Sequence, residues 1–251
     1  MDAMDAILTT RAMRRYSDAP VPDEMLMQCL EAAQQAPSGG NVQPQQYVVV
    51  RSPEVRHALA DIYRQAFERY EKCLPEPVFR SEHDRLTYER TRKASQDLAQ
   101  TIGDVPVHVL FLQPIIPWGF HDEEGVVDIG RLDGSVYPAV QNFCIAARSL
   151  GLGTAFTTVI RVYQAEALEV IGADPERFEI AAHIPVGYPT GNFGRAPRKD
   201  VRRSIHLDRY GERQRSTNSI ASSPCAPHIE ERRSPQHRNR RPRRPRQNHA
   251  C

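Results

Sequence analysis

The chain has 251 residues, 40% hydrophobic and 25% charged, the composition of a globular protein of one or two domains. No apolar run approaches the roughly 20 residues that cross a bilayer, and the start MDAMDAILTT lacks the basic n-region of a signal peptide. The five cysteines are odd in number and form no CxxC pair, which argues against a disulfide framework and for a cytoplasmic protein. The net charge is only +2, and it is unevenly spread.

Residues 3–14 are expected to form a first helix, followed by a PVP turn. In DEMLMQCLEAAQQ, Leu26, Cys29, Leu30 and Ala33 recur at i, i+3, i+4 and i+7, the stripe of an amphipathic helix. The loop APSGGNVQP leads into a strand, QYVVV. Helical spacing resumes over 54–71 at Val55, Leu59, Ile62, Tyr63, Ala66 and Tyr70. After the Pro-broken CLPEPVF comes a charged helix over 82–102, and DVPVHVLFL reads as a strand buried on both faces. Residues 113–130 are expected to be a long loop carrying the single tryptophan, Trp118, with Phe120 nearby, of the kind that lines or covers a site. A helix is expected over 134–150, a strand at GTAFTTVI, a short helix over 164–172 and a last strand at FEIAAHIPVGYP. Interleaved strands and helices imply a mixed α/β or α+β layer with a covered sheet. Cys29 and Cys144 fall on apolar helix faces as buried thiols, and His108 and His183 on apolar strands as core histidines.

From Glu212 to the end there are ten arginines and three acids. The remainder therefore carries 23 basic and 28 acidic residues (33 less 10, and 31 less 3) and is mildly acidic. Rich in Ser, Pro and Arg and poor in aliphatics, 212–251 is expected to be a disordered tail beyond a domain spanning 1–211. Such a tail could neutralise nucleic-acid phosphates without reading sequence, or be only a solvated or accidental extension.

Several motifs fail on inspection. GLGTAF has two glycines at G-x-G spacing, but it lacks the third and precedes a strand rather than a helix, so it is no dinucleotide fingerprint. There is no GxxxxGK[ST] and no GxSxG. His121, Asp122, Glu123 and Glu124 are metal ligands by type, but adjacent residues do not converge on one ion readily.

Three segments share a chemical theme. TTRAMRRYSD places Arg11 and Arg14 three apart near a helix end, where both guanidiniums could reach one face. PSGGNVQP offers the Ser38 and Asn41 side chains and glycine N–H groups beside a strand. PVGYPTGNFGRAPRKD ends a strand in turns and presents Arg195, Arg198 and Lys199. A ligand with a phosphate at one end and amide-like groups at the other would use all three, and flavin mononucleotide (FMN) answers that description.

RAMRRY, APSGGNVQPQQYVVV, YPAVQNFCIAARSLGLGTAFTT and PVGYPTGNFGRAPRKD, in this order over residues 5–211, resemble the nitroreductase family of FMN-dependent oxidoreductases. The resemblance implies an α+β nitroreductase-like fold, a mostly antiparallel sheet covered by helices, in a homodimer with FMN sites built from both chains. It implies that Arg11 binds the phosphate and that Arg14 lies beside flavin N1 and O2, where a cation favours the reduced ring. Pro37, Ser38, Gly39 and Asn41 match the second FMN loop, Phe156, Thr157 and Thr158 the strand behind the isoalloxazine, and Arg198, with Arg195, the late phosphate ligand. Ala12 stands where many members carry Ser, so it can contribute only its backbone. SIHLDRYG (204–211) resembles a closing strand that packs on the partner subunit. The implied activity is ping-pong hydride transfer through flavin N5, from NADH or NADPH to a small nitroaromatic or quinone-like acceptor, with no catalytic side chain. Relatives also dehalogenate or fragment flavin, and flavin storage without turnover is a further alternative.

Overall fold

The computed structural model describes residues 1–116, 120–127 and 130–212. The chain divides into two units, Met1–Pro197 and Arg198–Cys251. In the first unit the elements are α1 (Ala3–Thr9), α2 (Asp23–Gln34), β1 (Gln46–Val50), α3 (Pro53–Lys72), α4 (Glu82–Thr101), β2 (Val107–Pro114), β3 (Phe120–Asp122), β4 (Gly125–Val127), α5 (Asp133–Ser149), β5 (Gly153–Thr154), α6 (Gln164–Val170) and β6 (Phe178–Gly187). The central sheet has the order β1-β2-β6-β5 with every pair antiparallel.

Strand β2 alternates between two cores because successive side chains point to opposite faces. Val107, Val109 and Phe111 join Leu26, Cys29 and Ala33 of α2 and Val140 and Phe143 of α5. Leu110 and Leu112 join Leu59 and Tyr63 of α3, Leu98 of α4 and Leu168 of α6 on the other side. A bulge in the β2–β6 register, where Phe111 faces Ala182 but Leu112 faces Ile180, puts Ala181 and Ala182 together on the first face. The continuous apolar runs of β2 and β6 are thus the signature of a sheet covered on both sides. Cys29 and Cys144 are buried free thiols, pushed by burial up to about 12 and about 11.

Four expectations are corrected. The first helix stops at Thr9 instead of 14, because Thr10 turns extended (φ −66°, ψ 121°) and its hydroxyl donates to the Ala6 carbonyl at 2.7 Å. The strand expected over GTAFTTVI ends at Thr154; Thr157 makes only an isolated bridge to His183, and Val159–Tyr163 is a 3-10 turn. The long loop over 113–130 holds a hairpin, β3–β4, whose turn is closed by Asp122 Oδ1 accepting from the Glu124 and Gly125 N–H groups at 2.9 and 3.1 Å. Trp118 lies outside the described residues. In the second unit, 204–211 is no strand: Asp200 caps a 3-10 turn, Val201–Ser204, and the Gly211 N–H donates to His206 Nδ1 at 2.9 Å, so local bonds replace a ladder.

Candidate functional site

The segment after α1 runs alongside β5. Ala12 bridges Thr154 in parallel, and the Met13 N–H donates to the Thr154 carbonyl at 2.8 Å. Gly153 permits this approach, since a Cβ there would lie 2.9 Å from Met13 Cβ and 3.0 Å from Pro189 Cβ. The Tyr16 hydroxyl donates to the Met13 carbonyl and pins the turn that follows, with burial driving its pKa far upward. Arg11 and Arg14 therefore lie on extended chain, so the helical i, i+3 argument for a shared face does not hold. Arg11 is exposed and Arg14 half-buried.

Beyond β5 the chain leaves the sheet. The Thr157 N–H donates to the His183 carbonyl at 3.1 Å and the Thr157 carbonyl accepts from the His183 N–H at 2.9 Å, which holds Phe156–Thr158 against β6. Thr157 Oγ1 is 3.2 Å from the Tyr63 hydroxyl of α3, and the exposed Phe156 ring meets Tyr137 of α5 edge-on at 5.5 Å. Arg14, Phe156, Thr157 and Thr158 thereby line one cavity of about 370 Å³, together with Tyr63 and Phe67 of α3 and Tyr88 of α4. Glu71 and Arg92 also line it and pair at 2.9 Å. Burial pushes the Glu71 carboxyl up, but hydrogen bonds from Arg92 and Gln96 outweigh it and hold the pKa below the usual value. A larger groove of about 540 Å³ beside Arg15, Asp18, Asp97 and Asp104 holds none of the expected site residues. Its Arg15 and Asp97 are already paired at 3.0 Å.

The loop after α2 is tied to the same region. The Gly39 N–H donates to Ser135 Oγ at 3.1 Å, so it is not open to a ligand, and the Asn41 N–H is taken by the Ser38 carbonyl at 3.0 Å. Gly40, Asn41 and Gln43 all adopt positive φ (56°, 54° and 46°), so the turn curls tightly. Pro37, Gly39 and Asn41 are exposed and Ser38 is half-buried. Ser135 lies near the start of α5, two residues before Tyr137, so a run of contacts links this loop to Phe156. Arg195 is exposed on the segment after β6, and Arg198 opens the second unit.

The profile of the nitroreductase family matches residues 7–188, nearly three-quarters of the chain. The chain belongs to the nitroreductase family. It is 26% identical over 211 residues to a Methanothermobacter thermautotrophicus protein named "Putative NADH dehydrogenase/NAD(P)H nitroreductase", covering 84% of this chain and 88% of that one. The fold is shared with a solved iodotyrosine deiodinase bound to FMN and 3-iodo-L-tyrosine, at TM-score 0.63 and 20% identity, over 83% of this chain and 98% of the other. It is also shared with a variant of the FMN and NADPH-dependent nitroreductase NfnB from Sphigopyxis sp. strain HMH, at TM-score 0.61 and 18% identity, over 84% and 100%.

In this nitroreductase-family chain, the cavity residues that sequence reasoning missed are the aromatic ones of α3 and α4. Tyr63, Phe67 and Tyr70 were visible at i, i+4 and i+7 of α3, but an aromatic stripe facing a cavity has the same spacing as one facing a core. Ser135 and Tyr137 gave no signal, because their roles depend on where α5 meets two loops. No helix among the described residues is long and apolar enough to cross a membrane.

Proposed function

We propose that this chain is an FMN-dependent NAD(P)H oxidoreductase that reduces nitroaromatic or quinone-like acceptors. The observation that carries the reading is the meeting of Arg14 with Phe156–Thr158 on one wall of an aromatic-sided cavity. The donor set suits a flavin nucleotide. Arg11 and Arg14 supply fixed positive charge for an anionic group, and the Ser38 hydroxyl and Asn41 amide can meet uncharged polar atoms. FMN, when bound, would supply the redox chemistry, taking a hydride from the nicotinamide and passing it to the acceptor. The half-buried Arg14 would favour negative charge near it, because a cation acts more strongly where water is partly excluded. The half-buried Tyr88 would offer a flat apolar face to an aromatic acceptor, backed by the buried Tyr63 and Phe67, which keep water from it. Arg195 and Arg198 are assigned to the phosphate end on their place in the family motif. A homodimer is part of the reading, supported by exposed Met4, Ile7 and Leu8 on α1, an apolar strip awaiting a cover.

The test is purification followed by an absorbance spectrum and steady-state assays with NADH and NADPH. The expected result is a flavin band and nicotinamide oxidation in step with reduction of a nitro acceptor, with parallel double-reciprocal lines. A colourless protein that does not take up added FMN would overturn the reading. A yellow protein that neither nicotinamide reduces under anaerobic conditions would identify a flavin store instead.

A further inference from the structure

The turn that carries Ser38 and Asn41 is held by a one-way chain of amide side chains rooted in α2 and β1. At its base, the Tyr47 hydroxyl and Gln45 Nε2 both donate to Gln34 Oε1, at 3.0 and 3.3 Å. Gln34 Nε2 donates to Gln43 Oε1 at 2.8 Å, and Gln43 Nε2 donates to Asn41 Oδ1 at 3.2 Å. Gln43 Nε2 also faces the Asn41 backbone carbonyl at 3.5 Å. A carbonyl only accepts, so this contact sets the sense of the chain: with Gln43 reversed, two oxygens would face each other. In parallel, the Gln43 backbone N–H donates to Ser38 Oγ at 3.0 Å.

This polarity decides what the turn offers. Asn41 Oδ1 is occupied from within, so its NH2 group, which has no partner among the described residues, is the end left to face a ligand. Ser38 Oγ already accepts, so its hydroxyl proton is left to donate. We infer that Gln34 and Gln43 are positioning residues that orient Asn41 as a hydrogen-bond donor, so that its amide selects an acceptor atom of the cofactor.

The inference rests on the FMN reading above, and its test separates the two. In the full chain, Gln34→Glu and Gln43→Glu keep size and shape but each removes one donation, from residue 34 to 43 or from residue 43 to 41. Stripped of flavin and titrated with FMN by fluorescence, each variant should bind about five- to tenfold more weakly, the worth of one oriented hydrogen bond. Asn41→Asp, which still accepts from Gln43 but turns a carboxylate oxygen outward, should bind more weakly than Asn41→Ala. The melting temperature of the flavin-free protein should stay unchanged in Gln43→Glu, which a merely structural role would lower. The side-chain amide NMR signals of Gln43 and Asn41 in the flavin-free protein should both shift in Gln34→Glu. Wild-type affinity in Gln43→Glu or in Asn41→Asp would overturn the inference, as would unmoved amide signals. If the wild-type protein does not bind FMN, the functional reading fails alone, and the amide signals still decide the relay.

Discussion

Acidification from pH 7 to pH 5 should destabilise this protein through two histidines buried where β2 and β6 pair. His108 and His183 are fully buried, with ring centroids 4.9 Å apart. His108 Nε2 donates to the Ile102 carbonyl at 2.8 Å, but its Nδ1 and both ring nitrogens of His183 have no hydrogen-bond partner among the described residues. Around them stand Arg56 and His57 of α3, which oppose a further positive charge, and the ring edge of Tyr63. Burial, first of all, lowers the His108 pKa to about 4, and burial followed by its neighbour His108 drives His183 well below the usual value. The unfolded chain binds these protons below about pH 6.5 while the fold refuses them, so stability is full above that pH and falls as pH drops toward the folded values. At 1.36 kcal/mol per pH unit, His108 alone accounts for a loss of about 2 kcal/mol between pH 7 and 5, and His183 adds to it in the same direction. The carboxylates with lowered pKa, Glu71 and Glu179 among them, lose their contribution only below about pH 4.5 and leave this window clear. Urea unfolding at half-unit pH steps measures the slope. His183→Leu should make it shallower and raise stability at pH 7 by about 1 kcal/mol, because two unpartnered buried nitrogens disappear. A wild-type free energy of unfolding that is flat from pH 7 to 5 would refute the assignment of both rings as buried and neutral.

Gly153→Ala should lower stability by about 1–3 kcal/mol in thermal unfolding, since its Cβ meets Met13 and Pro189 where neither can retreat. A melting temperature equal to wild type would mean that the segment after α1 is not packed as described. Arg56→Ala should cost about 2–3 kcal/mol in urea unfolding, because its guanidinium donates to the Gly103 and Val105 carbonyls at 2.6 and 2.7 Å. Arg14→Gln should weaken FMN binding about tenfold or more in a fluorescence titration, with folding intact; unchanged affinity would remove Arg14 from the proposed site.

What the sequence disclosed and what it hid divide along one physical line. Helices α2, α3 and α5 show their buried stripes as 3.6-residue periods, and β2 and β6 show theirs as continuous apolar runs, because each face is set by what it packs against throughout its length. The errors fall where one long-range pairing overrides local preference. Residues 10–14 would continue α1 on spacing alone, but the bond from Met13 to Thr154 draws them out as extended chain. Thr157 has a strand former's side chain, but its bridge to His183 takes it off the β5 line and turns Phe156 outward. Both departures occur at the cavity wall. There the order of the motifs drew notice to the residues but carried nothing of their geometry, since Arg11 and Arg14 came to notice through a helical spacing the fold does not use. The aromatic wall from α3 and α4 was illegible for the converse reason. Tyr63 and Phe67 satisfy a core pattern and a cavity pattern equally, and only the closure of α4 over α3 leaves a space between them. The polar turn is a third case, in which composition was informative and polarity was not. That Ser38 and Asn41 could bond a ligand was readable from type, whereas which end of each amide faces outward depends on Gln34, a residue on a helix that the turn only reaches by folding back.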